Sequence, residues 1–411
     1  VFGFGAALSN SAAYLIQSSQ KRDEILQQLF SPDNGAGFSV VRYIMGGSDF
    51  QAVTPYTYND INPEDTDYDM EFFSIEKDLQ FMIPVMKSIK EINPQVKVVG
   101  TPWTAPAWMK LNKSLYGGEI NSDPLILAAY AQYFVKFIQA FEAEGINIDA
   151  LSIQNEPEHE TSGYPTMLFP WAAESTFIRD HLGPAFRNAG ITTEIWIFDH
   201  NWDMLWYPLN ILDDAETREF VDATAVHCYG GNPDDIQEVH DAYPDKDIHF
   251  TECSGGEWST DFAENLWWNY DNLFRSQLRH WSRSVMFWNL ALDQDHGPLV
   301  NVSGCLDCRG VLTIDTTDDS FTLNEEFYNL AHFSQFVGPG AVCVDSSEPD
   351  FDSELRNVAF RDDSTGTTTV AVGNGWAGGW KEISIKIDDQ YFNFEASVRN
   401  AELLTFVVRD C

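Results

Sequence analysis

The chain alternates short, almost purely apolar runs with longer stretches that turn apolar every third or fourth residue. Residues 2–8, 38–46, 96–102, 149–154, 193–199, 222–229, 247–252 and 284–292 are the apolar runs. Helical periodicity marks 72–92, 124–144, 171–187, a shorter piece near 233–242, then 262–281 and 324–336, with one more helix after the first run. Apolar strands without polar alternation are covered on both faces, as in a parallel sheet wrapped by helices. Eight such units predict a closed (β/α)8 TIM barrel. The competing arrangement, an open doubly wound sheet, needs a glycine-rich phosphate turn early in the chain. Gly3-Phe4-Gly5-Ala6-Ala7 lacks the third glycine of such a turn.

After about residue 339 the helical period stops. Residues 340–345, 357–361, 367–372, 381–387 and 402–409 read as short strands between Asp, Ser, Gly and Asn turns, predicting a small β-sandwich. The expected division is a barrel over 1–338 and a β-sandwich module over 339–411.

Charge narrows the partners. With 24 Lys and Arg against 63 Asp and Glu, the net charge is −39. Such a surface repels nucleic acid, anionic membranes and polyanionic substrates, leaving a neutral ligand. No apolar run reaches the roughly 18 residues of a membrane span. The six cysteines, Cys228, Cys253, Cys305, Cys308, Cys343 and Cys411, suit disulfides and a secreted setting. The chain opens directly in strand-like sequence, as a trimmed secreted protein would. Cys305-Leu306-Asp307-Cys308 has no second pair at zinc-site spacing, so no metal or other cofactor is expected. Cys228 and Cys253 fall near the tips of neighbouring strands, Cys305 and Cys308 would close a tight loop, and Cys343 with Cys411 would tie the first and last strands of the module. Asn112-Lys113-Ser114 and Asn301-Val302-Ser303 are glycosylation sequons.

Two apolar strands stop at a glutamate, in Ser152-Ile153-Gln154-Asn155-Glu156-Pro157 and His249-Phe250-Thr251-Glu252-Cys253-Ser254. A carboxylate at the tip of a buried strand is a costly place for charge. A lone glutamate there reads as a cap or a surface ion pair. Two, ending the fourth and seventh barrel strands, have the layout of a glycoside hydrolase. Retention of configuration requires carboxyls about 5–5.5 Å apart, one with a raised pKa to protonate the leaving oxygen and one ionised to attack the sugar. Asn155 suits a hydrogen bond to the sugar 2-hydroxyl.

A series of strings running nearly the whole length carries a resemblance. They include Gly3-Phe4-Gly5-Ala6-Ala7-Leu8-Ser9, Val41-Arg42-Tyr43, Ser48-Asp49-Phe50, Pro102-Trp103-Thr104-Ala105-Pro106-Ala107-Trp108, Gln154-Asn155-Glu156-Pro157, Ser162-Gly163-Tyr164-Pro165, His227-Cys228-Tyr229, Thr251-Glu252-Cys253 and Trp288-Asn289-Leu290. In order and spacing the chain resembles glycoside hydrolase family 30, which includes lysosomal glucosylceramidases and microbial endo-β-1,6-glucanases. The resemblance implies Glu156 as acid/base and Glu252 as nucleophile. It implies that Asp49, Trp103, Asn155 and Trp288 line the sugar subsite before the scissile bond, with Tyr229 beside the nucleophile. Cys228 stands where the glucosylceramidases carry tryptophan, Asp199-His200-Asn201-Trp202 ends strand 5 where they show paired acids, and Gly304-Cys305-Leu306-Asp307-Cys308-Arg309-Gly310 is similar to a string of the microbial glucanases. These departures point to a neutral β-glucan cleaved at β-1,6 bonds within the chain. The acceptor side is then expected to use Tyr164, Trp202 and Trp258 from the later loops, although Trp202 and Trp258 could equally pack loops together. An exo-acting β-glucosidase or glucosylceramidase, and a sugar binder on a dead hydrolase scaffold, are the other readings; the second needs neither glutamate.

Overall fold

The computed structural model describes residues 1–300, 304–347, 354–375, 381–387, 390–398 and 401–409. Strands β1 (Gly3–Leu8), β2 (Val40–Met45), β3 (Lys97–Pro102), β4 (Ala150–Ser152), β5 (Glu194–Asn201), β6 (Ala223–His227), β7 (Asp247–Glu252) and β8 (Ser282–Phe287) close a parallel barrel in sequence order. The strands are apolar on both faces because both faces are covered. Phe2, Val40, Val99, Ala150, Trp196, Ala223, Ala225 and Met286 fill the barrel floor. Val41, Tyr43, Val98, Leu151, Ile197 and Val285 face the helices. Gly5 is required where β1 and β2 crowd: a Cβ there would lie 1.9 Å from the Val40 carbonyl oxygen.

The helices follow local rules. Pro124–Ala143 starts with Pro at its first position, and the Asp123 carboxylate accepts from the Leu125 amide at 2.9 Å. Met82–Ile92 buries Met82, Val85, Met86 and Ile89 as one stripe. The expected helix 72–92 begins late because Asp67 accepts from the amides of Glu71 and Phe72, turning the chain first. Helices Trp206–Asp213 and Ala215–Arg218 fill what reads in sequence as a bare connection between β5 and β6. The expected run 284–292 is split: Ala291–Asp293 leaves β8 to join a small sheet with Leu312–Asp315 and Ser320–Leu323.

The C-terminal β-sandwich has a sheet ordered Val342–Val344, Leu355–Asp362, Thr367–Asn374, Glu402–Arg409, and a hairpin of Lys381–Ile387 with Gln390–Val398. The strand Gln390–Val398 is absent from the sequence expectation, although Phe392, Phe394, Ala396 and Val398 alternate with polar residues. The four-stranded sheet lies on barrel helices. The Tyr270 hydroxyl donates to the carbonyls of Arg356 and Ala371 at 3.0 and 3.1 Å, and Phe333 meets Phe360 edge-on.

Cys228 bonds Cys253 and Cys305 bonds Cys308, as expected. For the third expected pair, Cys343 has no disulfide partner among the described residues, and Cys411 lies outside them. The sequon at Asn301 also lies outside them. The Asn112 amide is already engaged, donating to the carbonyls of Tyr116 and Gly117.

Candidate active site

Arg42, in the middle of β2, organises the barrel mouth. It is fully buried, which a guanidinium tolerates only among acceptors. Nη1 donates to Glu252 Oε2, and Nη2 donates to Asn155 Oδ1 and Asp199 Oδ2, both at 2.7 Å. Its planar fork thus ties β2 to the tips of β4, β5 and β7. Asp199 also accepts from Ser152 Oγ at 2.7 Å and Thr251 Oγ1 at 2.6 Å. Burial alone would raise the Asp199 pKa; Arg42 and His227 hold it far below the usual carboxylate range.

His227 ends β6 and bridges two acids. Its Nε2 lies 2.9 Å from Asp199 Oδ1 and its Nδ1 3.0 Å from Glu156 Oε1. Burial opposes its charge, but Glu252 and Asp199 push its pKa up to about 9, so both nitrogens donate at neutral pH. His200 stands on the other side of Glu156, its Nδ1 3.7 Å from Oε1, with its pKa lowered to about 4 chiefly by burial.

Glu156 sits in the loop after β4 at φ 44°, and its amide donates to the Asp199 carbonyl at 3.0 Å. Phe198 and Asp199 are also left-handed, at φ 78° and 53°, so strained backbone gathers at this point. Burial would raise the Glu156 pKa, yet its bond to His227 holds it low. The sequence expectation of a raised acid is therefore reversed, because the imidazolium beside it already carries the proton. Glu252 ends β7 and is buried, accepting from Arg42 and from the Tyr229 hydroxyl at 3.0 Å. Burial raises its pKa against the opposing pull of His227 and Arg42.

Both glutamates line a cavity of about 750 Å³. Asp49, Trp103, Asn155, Tyr164, Tyr229, Trp258 and Trp288 line it with them. Trp103 stacks on Trp288 with ring centres 4.9 Å apart, and the Arg42 guanidinium lies 5.0 Å from the Trp103 ring. Burial and the nearby Glu252 push the Asp49 pKa up to about 8. Tyr164 is hydrogen-bonded to His159 Nε2 at 3.0 Å. Trp258, 56% exposed, rests on Gly256, where a Cβ would sit 2.1 Å from the indole.

Trp202 is the exception. It is 3% exposed, stacks on Phe250, and does not line the cavity. A bulge in β5 between Phe198 and His200 brings Asp199 into the barrel and leaves Trp202 in the apolar layer shared with the helices.

Over residues 1–337 the chain matches the Glycosyl hydrolase family 30 TIM-barrel domain. The chain belongs to glycoside hydrolase family 30. It is 33% identical over 364 residues to Endo-1,6-beta-D-glucanase neg1 of Aspergillus fumigatus, covering 84% of this chain and 72% of that protein. It is 28% identical over 393 residues to Lysosomal acid glucosylceramidase of Mus musculus, covering 90% and 74%. Among solved structures, the endo-beta1,6-glucanase BT3312 superposes with a TM-score of 0.90 at 32% identity, covering 99% of this chain and 91% of that one.

As a family 30 member the chain is a retaining glycoside hydrolase. Several residues of its mouth carry no role in the sequence reading. Arg42 and His227 are the clearest: each is a polar residue placed inside an apolar strand, in Val40-Val41-Arg42-Tyr43-Ile44 and Ala223-Thr224-Ala225-Val226-His227. That misplacement is itself a readable signal. Trp268 and Glu264, on helix Phe262–Trp268, also line the cavity. Nothing in their helical period marks which face meets the mouth.

Proposed function

We propose that the chain is an endo-β-1,6-glucanase acting on a neutral glucan outside the cell, with Glu156 as acid/base and Glu252 as nucleophile. The observation that carries this is the asymmetry of the cavity. One wall is closed by the stacked Trp103 and Trp288 with Asp49, and suits a single glucose in the subsite before the scissile bond. The rim carries the exposed indoles of Trp258 and Trp268, which suit a glucan chain of any length. The named activities of the Aspergillus relative and of BT3312 support the same linkage. Two disulfides suit an oxidising compartment. Among the described residues, no helix is long and apolar enough to cross a membrane. The reading keeps the division into a barrel over 1–338 and a module over 339–411.

Glu252 attacks the anomeric carbon, breaking the glycosidic bond as the ester forms. Glu156 delivers a proton to the departing 6-oxygen, then takes one from water as the ester is hydrolysed. The proton reaches Glu156 Oε1 from His227 Nδ1 along their 3.0 Å hydrogen bond as sugar displaces water and raises the cost of separated charge. Arg42 and Tyr229 orient Glu252 for attack, and Arg42 with His227 offsets part of what burial costs its charge.

The test is a time course on linear β-1,6-glucan, with β-1,3- and β-1,4-glucans alongside. Short oligosaccharides appear first from the β-1,6 chain alone. Glucose as the sole early product would make the enzyme exo-acting, and an untouched β-1,6-glucan with cleaved glucosylceramide would overturn the linkage.

A further inference from the structure

Glu156 Oε1 faces two imidazoles rather than one. His227 Nδ1 lies 3.0 Å away and His200 Nδ1 3.7 Å away, and one donor atom from each of Glu156, His200 and His227 falls within 4.8 Å of the others. His200 is 5% exposed, and its Nδ1 has no hydrogen-bond partner. A buried ring nitrogen aimed at a carboxylate beyond hydrogen-bond distance is unusual, because such atoms are normally paired. The sugar chemistry assigned above makes no use of His200.

We propose that Glu156, His200 and His227 form a binding site for a borderline-soft divalent cation, with Zn²⁺ as the best match, and that its occupation switches the enzyme off. The ligand chemistry fits. Two imidazole nitrogens and one carboxylate oxygen make a three-ligand zinc set with an open fourth position, here turned to the cavity. Bonds of about 2.0–2.1 Å place tetrahedral ligand atoms about 3.4 Å apart. The Glu156 distances to both rings bracket that separation, and closure draws the His200 nitrogen in toward the other two. The outer shell is also present. Asp199 Oδ1 holds His227 Nε2 at 2.9 Å, fixing the ring with Nδ1 toward the site, the carboxylate–histidine–metal arrangement that raises ligand basicity. On binding, the cation replaces the Nδ1 proton of His227, which leaves to solvent. Glu156 is then coordinated and cannot deliver a proton, so cation and glycosidic oxygen exclude each other. The preference for a borderline-soft cation depends on the His200 nitrogen, since an oxygen ligand in its place would make the set harder.

The experiment uses the untagged enzyme in a non-coordinating buffer. Zn²⁺ is titrated against hydrolysis of linear β-1,6-glucan, whose leaving group needs the Glu156 proton, and Co²⁺ binding is followed by its visible absorption. Wild type should bind one Co²⁺ per chain with the intense bands of a tetrahedral site, lose activity to Zn²⁺ at micromolar concentration, and recover with EDTA. His200→Asn and His200→Gln, each compared with its own activity in EDTA, should need about 10- to 100-fold more Zn²⁺ for the same inhibition and should lose the tetrahedral bands. Cations held by the acidic surface would give only weak octahedral bands that His200 does not influence. Wild type that stays active in millimolar Zn²⁺, or inhibition unchanged in both His200 variants, would overturn the proposal.

Discussion

Arg42 and Tyr43 are neighbours on β2, and each reaches a buried acid on opposite sides of the barrel wall. Inside, Arg42 meets Glu252 and Asp199. Outside, Tyr43 donates to Asp78 Oδ2 at 2.6 Å, Tyr58 donates to the same oxygen at 2.7 Å, and Tyr56 donates to Oδ1. Both acids are surrounded by donors, but the donors differ in charge. Guanidinium and imidazolium hold Asp199 far below its ordinary pKa, whereas burial wins over three neutral hydroxyls and raises Asp78. Hydroxyls suffice to anchor a helix layer. Only fixed positive charge holds Asp199 ionised in a dry mouth, and at Glu252 the same charge works against burial that still raises its pKa.

The largest effect tests the nucleophile. Glu252→Gln leaves shape and burial but no attacking oxygen; kcat on an aryl glucoside should fall by at least about 10³-fold. Activity near wild type would remove Glu252 from the mechanism. Glu156→Ala should be slow on β-1,6-glucan and far less impaired on an activated aryl glucoside. Azide should rescue it as the β-glucosyl azide, and an α-azide would contradict retention. The neighbouring pair then addresses the comparison directly. Arg42→Met should lower kcat by about 10²–10³-fold by uncoupling Glu252 from its charge partner. Tyr43→Phe should leave kcat within about twofold and lower the melting temperature by a few degrees, since it removes one buried hydrogen bond. Equal kinetic losses in both would erase the distinction between the two faces.

The smallest effect concerns another acid held by a neutral hydroxyl. Glu174 accepts from Tyr207 at 2.5 Å, and burial pushes its pKa up to about 8. The folded chain therefore binds its proton more tightly than the unfolded chain does. That stabilisation is complete below the ordinary carboxylate pKa and is lost as pH rises through 8. In Glu174→Gln the fall in melting temperature between mildly acidic and alkaline pH should be shallower by about 1–3 °C. Parallel curves for the two proteins would show that Glu174 is not the group responsible.

The barrel was legible because its strands need apolar residues on both faces, a pattern that survives in one dimension. Glu156 and Glu252 stood out for the same reason, as charges closing apolar runs. The bulge in β5 was not legible. A one-residue slip at Phe198–His200 decides that Asp199 faces the mouth and Trp202 does not, and the sequence there is uniformly aromatic and polar. The reversed pKa order of Glu156 was hidden too, since it depends on His227, 71 residues away, meeting it at 3.0 Å. Trp268 was missed because the face of a helix that meets a cavity is set by packing.

The bonds between the β-sandwich and the barrel helices bear on how this enzyme can be cut and recombined. Tyr270, His332 and Phe336 all spend polar atoms on the sandwich: Tyr270 on two carbonyls, His332 on Thr405, and the Phe336 carbonyl on Thr369. A fragment ending with the barrel would leave those atoms and the Phe333 ring facing water. The smallest transplantable piece is thus the barrel together with its sandwich, and a chimera that swaps one must carry the matching helix faces of the other.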